Sequence, residues 1–463
     1  MKNFKLFFWV MASMLLLTAC PNKNDEPDDT KNTITDTATY IVNEWIDDIL
    51  REVYYWEDEI PSSLTPDDKT DPMDFFEEYR NTEDKWSWLT DDYDGLTSEL
   101  SGTPVSMGIS PYFVRIGSEN VGIVVEYVYP DSPADKGGIK RGDVITKIDG
   151  EALTIDDYYD KYSQTSYTVS LAYLKDNTIY QTDKTVSLTA EVIEADPLIH
   201  SEILHQSGKK IGYAVYTGFI SGSSDEYLES LTTTLKAFVD SNIDDLVLDF
   251  RYNPGGEVYM AQQLSSLLAP ADVAASEKLL VKYDYNDLYE NYFKKNAPEE
   301  LYVNFVNTTN NLNLDKVYFL TAAYTASASE LTIIGLRPYM DVVQIGEYTY
   351  GKYTGMWVIP DTESPRRHNY AMLPIVFKYE NSVGYGNFAN GLTPDYEVDD
   401  DGLFAGIPFG DVSDPILGKA VELITGTAIA SARKAPIQHQ YFESILPKEK
   451  EMMMNAIVTN KLK

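Results

Sequence analysis

The chain is poor in three things. It has one cysteine, Cys20, in 463 residues, so no disulfide can form within it and its folded parts rest on packed cores alone. It has four histidines, His200, His205, His368 and His439, and no two of them share a helix face at the spacing of a zinc pair. His200 and His205 read as solvated loop residues. It has 37 basic residues against 73 acidic ones, a formal charge of −36, which argues against nucleic acid as a partner. Internal repeats and low-complexity tracts are also missing. The nearest approach to a calcium loop, Glu397-Val-Asp-Asp-Asp-Gly402, has Pro408 at its twelfth position where a glutamate is needed, and reads as an acidic turn. No metal and no organic cofactor is expected.

What remains is enough for several packed domains, since 43% of the residues are hydrophobic. Lys2 and Lys5 flank the start of an apolar run from Leu6 to Leu17, the pattern of an export signal too short to span a membrane stably. Leu17-Thr-Ala-Cys20 resembles the lipobox of bacterial lipoproteins. That resemblance implies a signal peptide over 1–19, lipidation at Cys20, and attachment to a membrane of the bacterial cell envelope, periplasmic or at the outer-membrane surface. An acidic, proline-containing tether follows over 20–38. Residues 39–103 read as a helical unit: Ile41, Trp45, Ile49, Val53 and Trp56 recur at helical spacing up to Ile60, and Met73–Tyr79 is a second helix. The aromatic stripe is expected to be core. Residues 104–192 change to short strands, at Val105–Ile109, Gly122–Val128 and Val144–Ile148. Ser132-Pro133 suits a helix start, Gly137-Gly138 its stop, and Asp149-Gly150 a tight turn. From 193 to 445 strand and helix alternate as in an α/β domain. Residues 271–315 interrupt the alternation, as an insertion near the site or a surface excursion.

Chemistry concentrates after the strand Lys316–Thr321. Thr325-Ala-Ser-Ala-Ser-Glu330 opens a helix reaching Leu336, Asp341–Gly346 is the next strand, and Tyr348-Thr-Tyr-Gly-Lys352 is the loop beyond it. A serine at the start of a helix after a strand has an exposed hydroxyl and a backbone N–H beside it. Lys352, twenty-five positions after Ser327, can reach the same point from the neighbouring strand's exit. A serine hydroxyl is a poor nucleophile until a base takes its proton, and lysine is a base only when burial keeps it neutral. Tyr348, Tyr350, Tyr353 and Trp357 are available to desolvate it. Gly255 and Gly256 allow a turn that aims an N–H at a developing oxyanion.

Two family resemblances organise these pieces. Met107-Gly-Ile109, Val128-Tyr-Pro-Asp-Ser-Pro-Ala134, Gly138-Ile-Lys-Arg-Gly-Asp-Val-Ile145 and Ile148-Asp-Gly150 resemble a PDZ domain. This implies that the amides of Met107, Gly108 and Ile109 capture a peptide's terminal carboxylate while the peptide adds to a sheet edge. Behind that block, Asp249-Phe-Arg-Tyr-Asn-Pro-Gly-Gly256, Thr325–Glu330, Gly346–Lys352 and Asn390-Gly-Leu-Thr-Pro-Asp395 resemble the C-terminal-processing (tail-specific) Ser/Lys peptidases. The implied fold is multidomain α+β: a small helical unit, a PDZ-like β domain, and an α/β core of the ClpP/crotonase-like type. The implied roles are Ser327 as nucleophile, Lys352 as general base, and Gly255 or Gly256 with Ala328 as the oxyanion hole. The implied substrates are proteins or peptides with apolar C-termini. Two positions depart from the family. Met356 stands where a glutamine usually orients the lysine, and Pro338 where many members have an aspartate. The third role is therefore open among Tyr353, Thr354 and the 361–370 loop, and a Ser327–His368 triad fits the motif less well. The alternative is a peptide-binding envelope lipoprotein whose core has little or no activity.

Overall fold

The computed structural model describes residues 38–175, 178–429 and 444–445, so the expected signal, most of the tether, Cys20 and His439 lie outside the described residues.

The first helix is Ala38–Val53, and its face of Val42, Trp45, Ile46, Leu50 and Val53 is buried. It stops before the expected Ile60; a separate 3-10 turn, Glu57–Glu59, follows. The second helix is Pro72–Glu77, where the Asp71 side chain accepts the Met73 N–H and proline occupies the first turn. The aromatic stripe is core. Trp45, Trp56, Trp86 and Trp88 pack with Phe75 and Phe76, and the same cluster includes Met356, Met372 and Ile375 from far along the chain. The strand Trp88–Thr90 pairs antiparallel with Ala371–Leu373, Leu89 facing Met372. The helical unit and the α/β region therefore share one core.

The PDZ region is a six-stranded antiparallel sheet. Its order is Ile109–Ile116, Asn120–Val128, Glu151–Thr154, Asp143–Ile148, Ser166–Lys175, Thr178–Thr189. Ile109–Ile116 has no neighbour on its outer side among these strands. The expected strand Val105–Ile109 is broken in two. Val105–Ser106 pairs with Glu191–Val192, Gly108 turns the chain at φ +80°, and a new strand starts at Ile109. Ser132 caps the short helix Pro133–Lys136 as its sequence suggests. Asp149 and Gly150 both have positive φ, the geometry of a tight hairpin turn.

The α/β region is built on a second six-stranded sheet, ordered Leu198–Gln206, Lys209–Tyr216, Asp245–Asp249, Lys316–Thr321, Asp341–Gly346, Tyr396–Glu397. The first pair is antiparallel and the rest are parallel. The central strands read as continuous apolar runs because helices cover them. His200 and His205 sit on the first of these strands rather than on a loop, and His200 Nε2 lies 2.9 Å from Glu202 Oε1. A four-stranded antiparallel sheet runs Tyr302–Asn304, Leu279–Tyr285, Ile375–Asn381, Thr354–Met356. Residues 271–315 are therefore no surface excursion. They supply an inner strand, with Leu280 and Val281 fully buried, to the sheet that carries the segment after Lys352.

Candidate active site

Ser327 is the N-cap of the fully buried helix Ala328–Leu336, with φ +66° and ψ −118°. A residue with a side chain holds that conformation only when its surroundings impose it. Here they do. Thr325 Oγ1 donates to Phe250 O at 2.8 Å, the Ala326 N–H donates to Asn253 O at 3.1 Å, and Ser329 Oγ donates to the same carbonyl at 3.1 Å. The Asn-Pro-Gly-Gly turn thus braces the Ser327 turn from above. Gly255 has φ +105°, and a Cβ there would lie 2.5 Å from Ser327 Cβ and 2.7 Å from its Oγ. This close approach corrects the expectation of an exposed hydroxyl: Ser327 is buried beneath the glycine turn, and its Oγ has no hydrogen-bond partner.

Lys352 is also fully buried. Among the described residues the hydrogen-bond acceptor of its Nζ is Met356 Sδ, at 3.6 Å. A thioether is a weak acceptor, so it does little to hold a charge on the amine. Burial pushes the amine well below the usual lysine range, with the carboxylates of Asp84 and then Glu330 acting against it. The sources of burial differ from those expected. Tyr348 is 46% exposed, and Trp357 packs away on Tyr285 and Tyr289, whereas Met356 is buried in the aromatic cluster with Trp86 and Trp88. Tyr350 and Tyr353 border that cluster.

One carboxylate ties the two halves together. Glu330 Oε2 accepts the N–H of Ser327 at 2.7 Å and of Lys352 at 2.9 Å. Its Oε1 accepts the Gly351 N–H at 2.7 Å and the Thr349 hydroxyl at 2.5 Å. Burial pushes its carboxyl up to about 7 in spite of these four donors. From the other side, the Tyr379 hydroxyl contacts Lys352 O at 2.8 Å and Ser327 O at 3.2 Å. Ser327 and Lys352 are thus fixed to each other through their backbones, while Oγ and Nζ are held by almost nothing.

The other expected site residues fall as follows. The Gly255 N–H donates to Asn253 Oδ1 at 2.9 Å. Ala328 is the first residue of its helix, where amides lack intrahelical partners, and its N lies next to Gly255. Gly256, at φ +133°, packs on the Phe219 carbonyl. In the PDZ loop, Gly108 N–H donates to Ser106 Oγ at 3.0 Å, Met107 O accepts from Ala134 N, and Ile109 faces Val128 across the strand pair. The candidates for the third role stand in different surroundings. Asp361 is clasped by Arg367, His368 packs between Trp45 and Tyr370, Tyr353 packs on Trp86 and Phe388, and Thr354 Oγ1 is buried without a partner.

Comparison with known proteins bears on the regions that carry this arrangement. Residues 210–398 match peptidase family S41, residues 42–88 the peptidase S41 N-terminal domain, and residues 124–166 a PDZ domain. The chain belongs to peptidase family S41. It is similar to the carboxyl-terminal-processing protease of a Picosynechococcus strain, 25% identical over 73% of this chain and 74% of that one. It is similar also to the carboxy-terminal processing protease CtpB of Bacillus subtilis, 24% identical over 59% of this chain and 54% of that one. A crystal structure of an S41 protease from Bacteroides fragilis superposes with a TM-score of 0.70 at 25% identity, covering 88% of this chain and 99% of that one. This S41 member is a serine-type peptidase acting on proteins or peptides.

Three polar residues of the S41 site were not singled out from sequence. Glu330 stood inside the quoted motif without a role, and its spacing three residues after a helix N-cap is a signal for a capping carboxylate. Tyr379 lies on a strand with no local mark. Asp84 belongs to the helical unit. It is 4% exposed and accepts from the Tyr54 hydroxyl at 2.6 Å and from the N–H groups of Trp86 and Ser87 at 2.9 Å. The acidic turn at 397–402 is also more than solvated surface, because Asp400 bonds buried Arg251 at 2.7 Å together with Asp249 and Asp414.

Proposed function

We propose that the peptidase works through a Ser327–Lys352 dyad. What supports the reading most is the pairing of a strained, buried serine with a buried lysine whose backbones share the Glu330 carboxylate. Neutral Lys352 takes the Ser327 proton as Oγ attacks the scissile carbonyl, and the resulting ammonium returns it to the leaving amine. Water then hydrolyses the acyl-enzyme with the same base. The oxyanion is received by the Ala328 amide and by the glycine turn at 255–256; the Gly255 amide must first leave Asn253 Oδ1. In this step Nζ leaves Met356 Sδ for Oγ, as catalytic hydrogen bonds tighten on substrate binding. Asp84 and Glu330 stabilise the lysinium that forms in the transition state.

We also propose that the PDZ domain receives apolar C-terminal tails, with the carboxylate at Met107, Gly108 and Ile109, and that Cys20 carries a lipid anchoring the enzyme in the bacterial cell envelope. The test of the dyad is cleavage of a tail-bearing peptide by the wild type, Ser327→Ala and Lys352→Ala. Loss of turnover in both, with retained peptide binding, is the expected result. Turnover surviving in Lys352→Ala sinks the lysine's role as base. Labelling with a radioactive fatty acid, lost in Cys20→Ala, tests the anchor.

A further inference from the structure

The open edge of the PDZ sheet is not empty. Ser444 forms an antiparallel bridge to Val114 in the edge strand Ile109–Ile116, and the Ile445 N–H donates to Phe113 O at 2.9 Å. The Ile445 side chain packs on the PDZ core, in the company of Tyr158, Tyr159 and Tyr162 from the short helix Tyr158–Tyr162. Phe113 makes ring contacts with all three of those tyrosines. Ser444 Oγ lies 3.0 Å from the hydroxyl of Tyr324, three residues before the nucleophile. The Tyr324 ring meets Tyr112 of the edge strand at 5.8 Å. These two residues therefore bridge the PDZ edge and the nucleophile loop.

The direction of the pairing is informative. Antiparallel to Ile109–Ile116, the step from Ser444, opposite Val114, to Ile445, bonded to Phe113, points toward the Met107–Ile109 loop. A substrate tail added to this edge, with its carboxylate at the loop and its scissile bond at Ser327, runs the same way. We propose that the segment at Ser444–Ile445 is a built-in ligand of the PDZ edge, which occupies the substrate's strand position and must be displaced before a tail can dock. The inference rests on the tail-binding reading above. A tethered segment of this kind competes at an effective concentration on the order of millimolar, so it screens out weak tails and yields to good ones. Proline at 445 removes the N–H that bonds Phe113, and Ser444→Ala removes the hydroxyl beside Tyr324.

The test uses the full chain carrying S444A and I445P together. A fluorescent peptide with an apolar C-terminus is titrated into this variant and the wild type, both in the Ser327→Ala background. KM for its cleavage is measured with Ser327 intact. Binding should tighten, and KM fall, by roughly three- to tenfold, the gain from removing a tethered competitor. Cleavage of a short peptide that does not reach the PDZ edge should stay unchanged. In the wild type, saturating tail peptide should raise hydrogen exchange at the Ile445 amide. Equal binding by both proteins, with no change in exchange, overturns the proposal and leaves tail recognition standing. If neither protein binds the tail peptide, tail recognition itself has failed and this inference falls with it. An equal gain on the short peptide also overturns it, because the segment then acts on the nucleophile loop and not on docking.

Discussion

Two cations are buried in the catalytic region, and they are treated in opposite ways. Arg251 is 1% exposed and meets three carboxylates: Asp249 through Nε and Nη2, and Asp400 and Asp414 through Nη1. Those acids are held in turn, Asp249 by the Tyr213 hydroxyl and Asp400 by that of Tyr252, while Asp414 caps the helix Pro415–Thr425. Despite burial, these carboxylates push the guanidinium well above its ordinary range. Lys352 is buried as deeply but touches a thioether, and its carboxylates stand off it, so its amine is pushed down. Burial alone therefore does not decide what a cation does. Paired burial keeps a charge and locks the loops around it, whereas unpaired burial favours the neutral amine.

Exchanging each cation for methionine tests the contrast most directly. Lys352→Met should lose turnover by on the order of 10⁴-fold or more, as for other members of a catalytic pair. Its melting temperature should nevertheless rise. In wild type, burial lowers the lysine's folded-state pKa below its unfolded value, so below that unfolded value folding works against the protonated amine. That cost shrinks as pH rises toward 10.5 and is absent from the variant. Arg251→Met should go the other way and lose about 3–5 kcal/mol in denaturant melts, because Asp249 and Asp414 are left buried without their cation. If the lysine variant is the less stable of the two, the contrast is wrong.

Smaller changes sharpen it. Met356→Gln gives Nζ a full-strength acceptor, and should raise kcat by roughly three- to tenfold while moving the acid limb of the kcat/KM profile to higher pH. A flat response means that the thioether already orients the amine adequately. Asp84→Asn can keep the acceptor for the Trp86 and Ser87 N–H groups, loses the one for the Tyr54 hydroxyl, and removes the charge. The acid limb should move to lower pH, with less than about a threefold change at the optimum. An unmoved limb in Asp84→Asn denies the carboxylate any hold on the lysine.

Much of this was readable in the residues, and the limits are physical. The strands of the parallel sheet announce themselves as apolar runs because both faces are covered, and Ser132-Pro133 and Asp149-Gly150 mark a cap and a turn whose chemistry is local. Ser327, Gly255 and Lys352 stand out because a strained turn, a close approach and a base each demand a particular residue type. What depends on distant pairing left no local trace. The strand Leu279–Tyr285 sits in a tyrosine-rich stretch and becomes interior only through its partner Ile375–Asn381. Asp84 resembles any acidic turn residue until Trp86 and Ser87 dock it beside the lysine. Burial of Ser327 was misjudged for the same reason, because the turn that covers it lies seventy residues earlier in the chain.

The pairing of Trp88–Thr90 with Ala371–Leu373, reinforced by the Ser87 Oγ that accepts the Ile375 N–H, has a consequence in time. The segment that brings Asp84 to the lysine leaves the ribosome early, and its partner strand leaves late. Contacts so far apart in sequence form slowly and near the end of folding. A partly synthesised chain therefore has the PDZ strands in hand but not the finished surroundings of Lys352. On the proposed dyad, cleavage then waits until almost all of the chain has arrived.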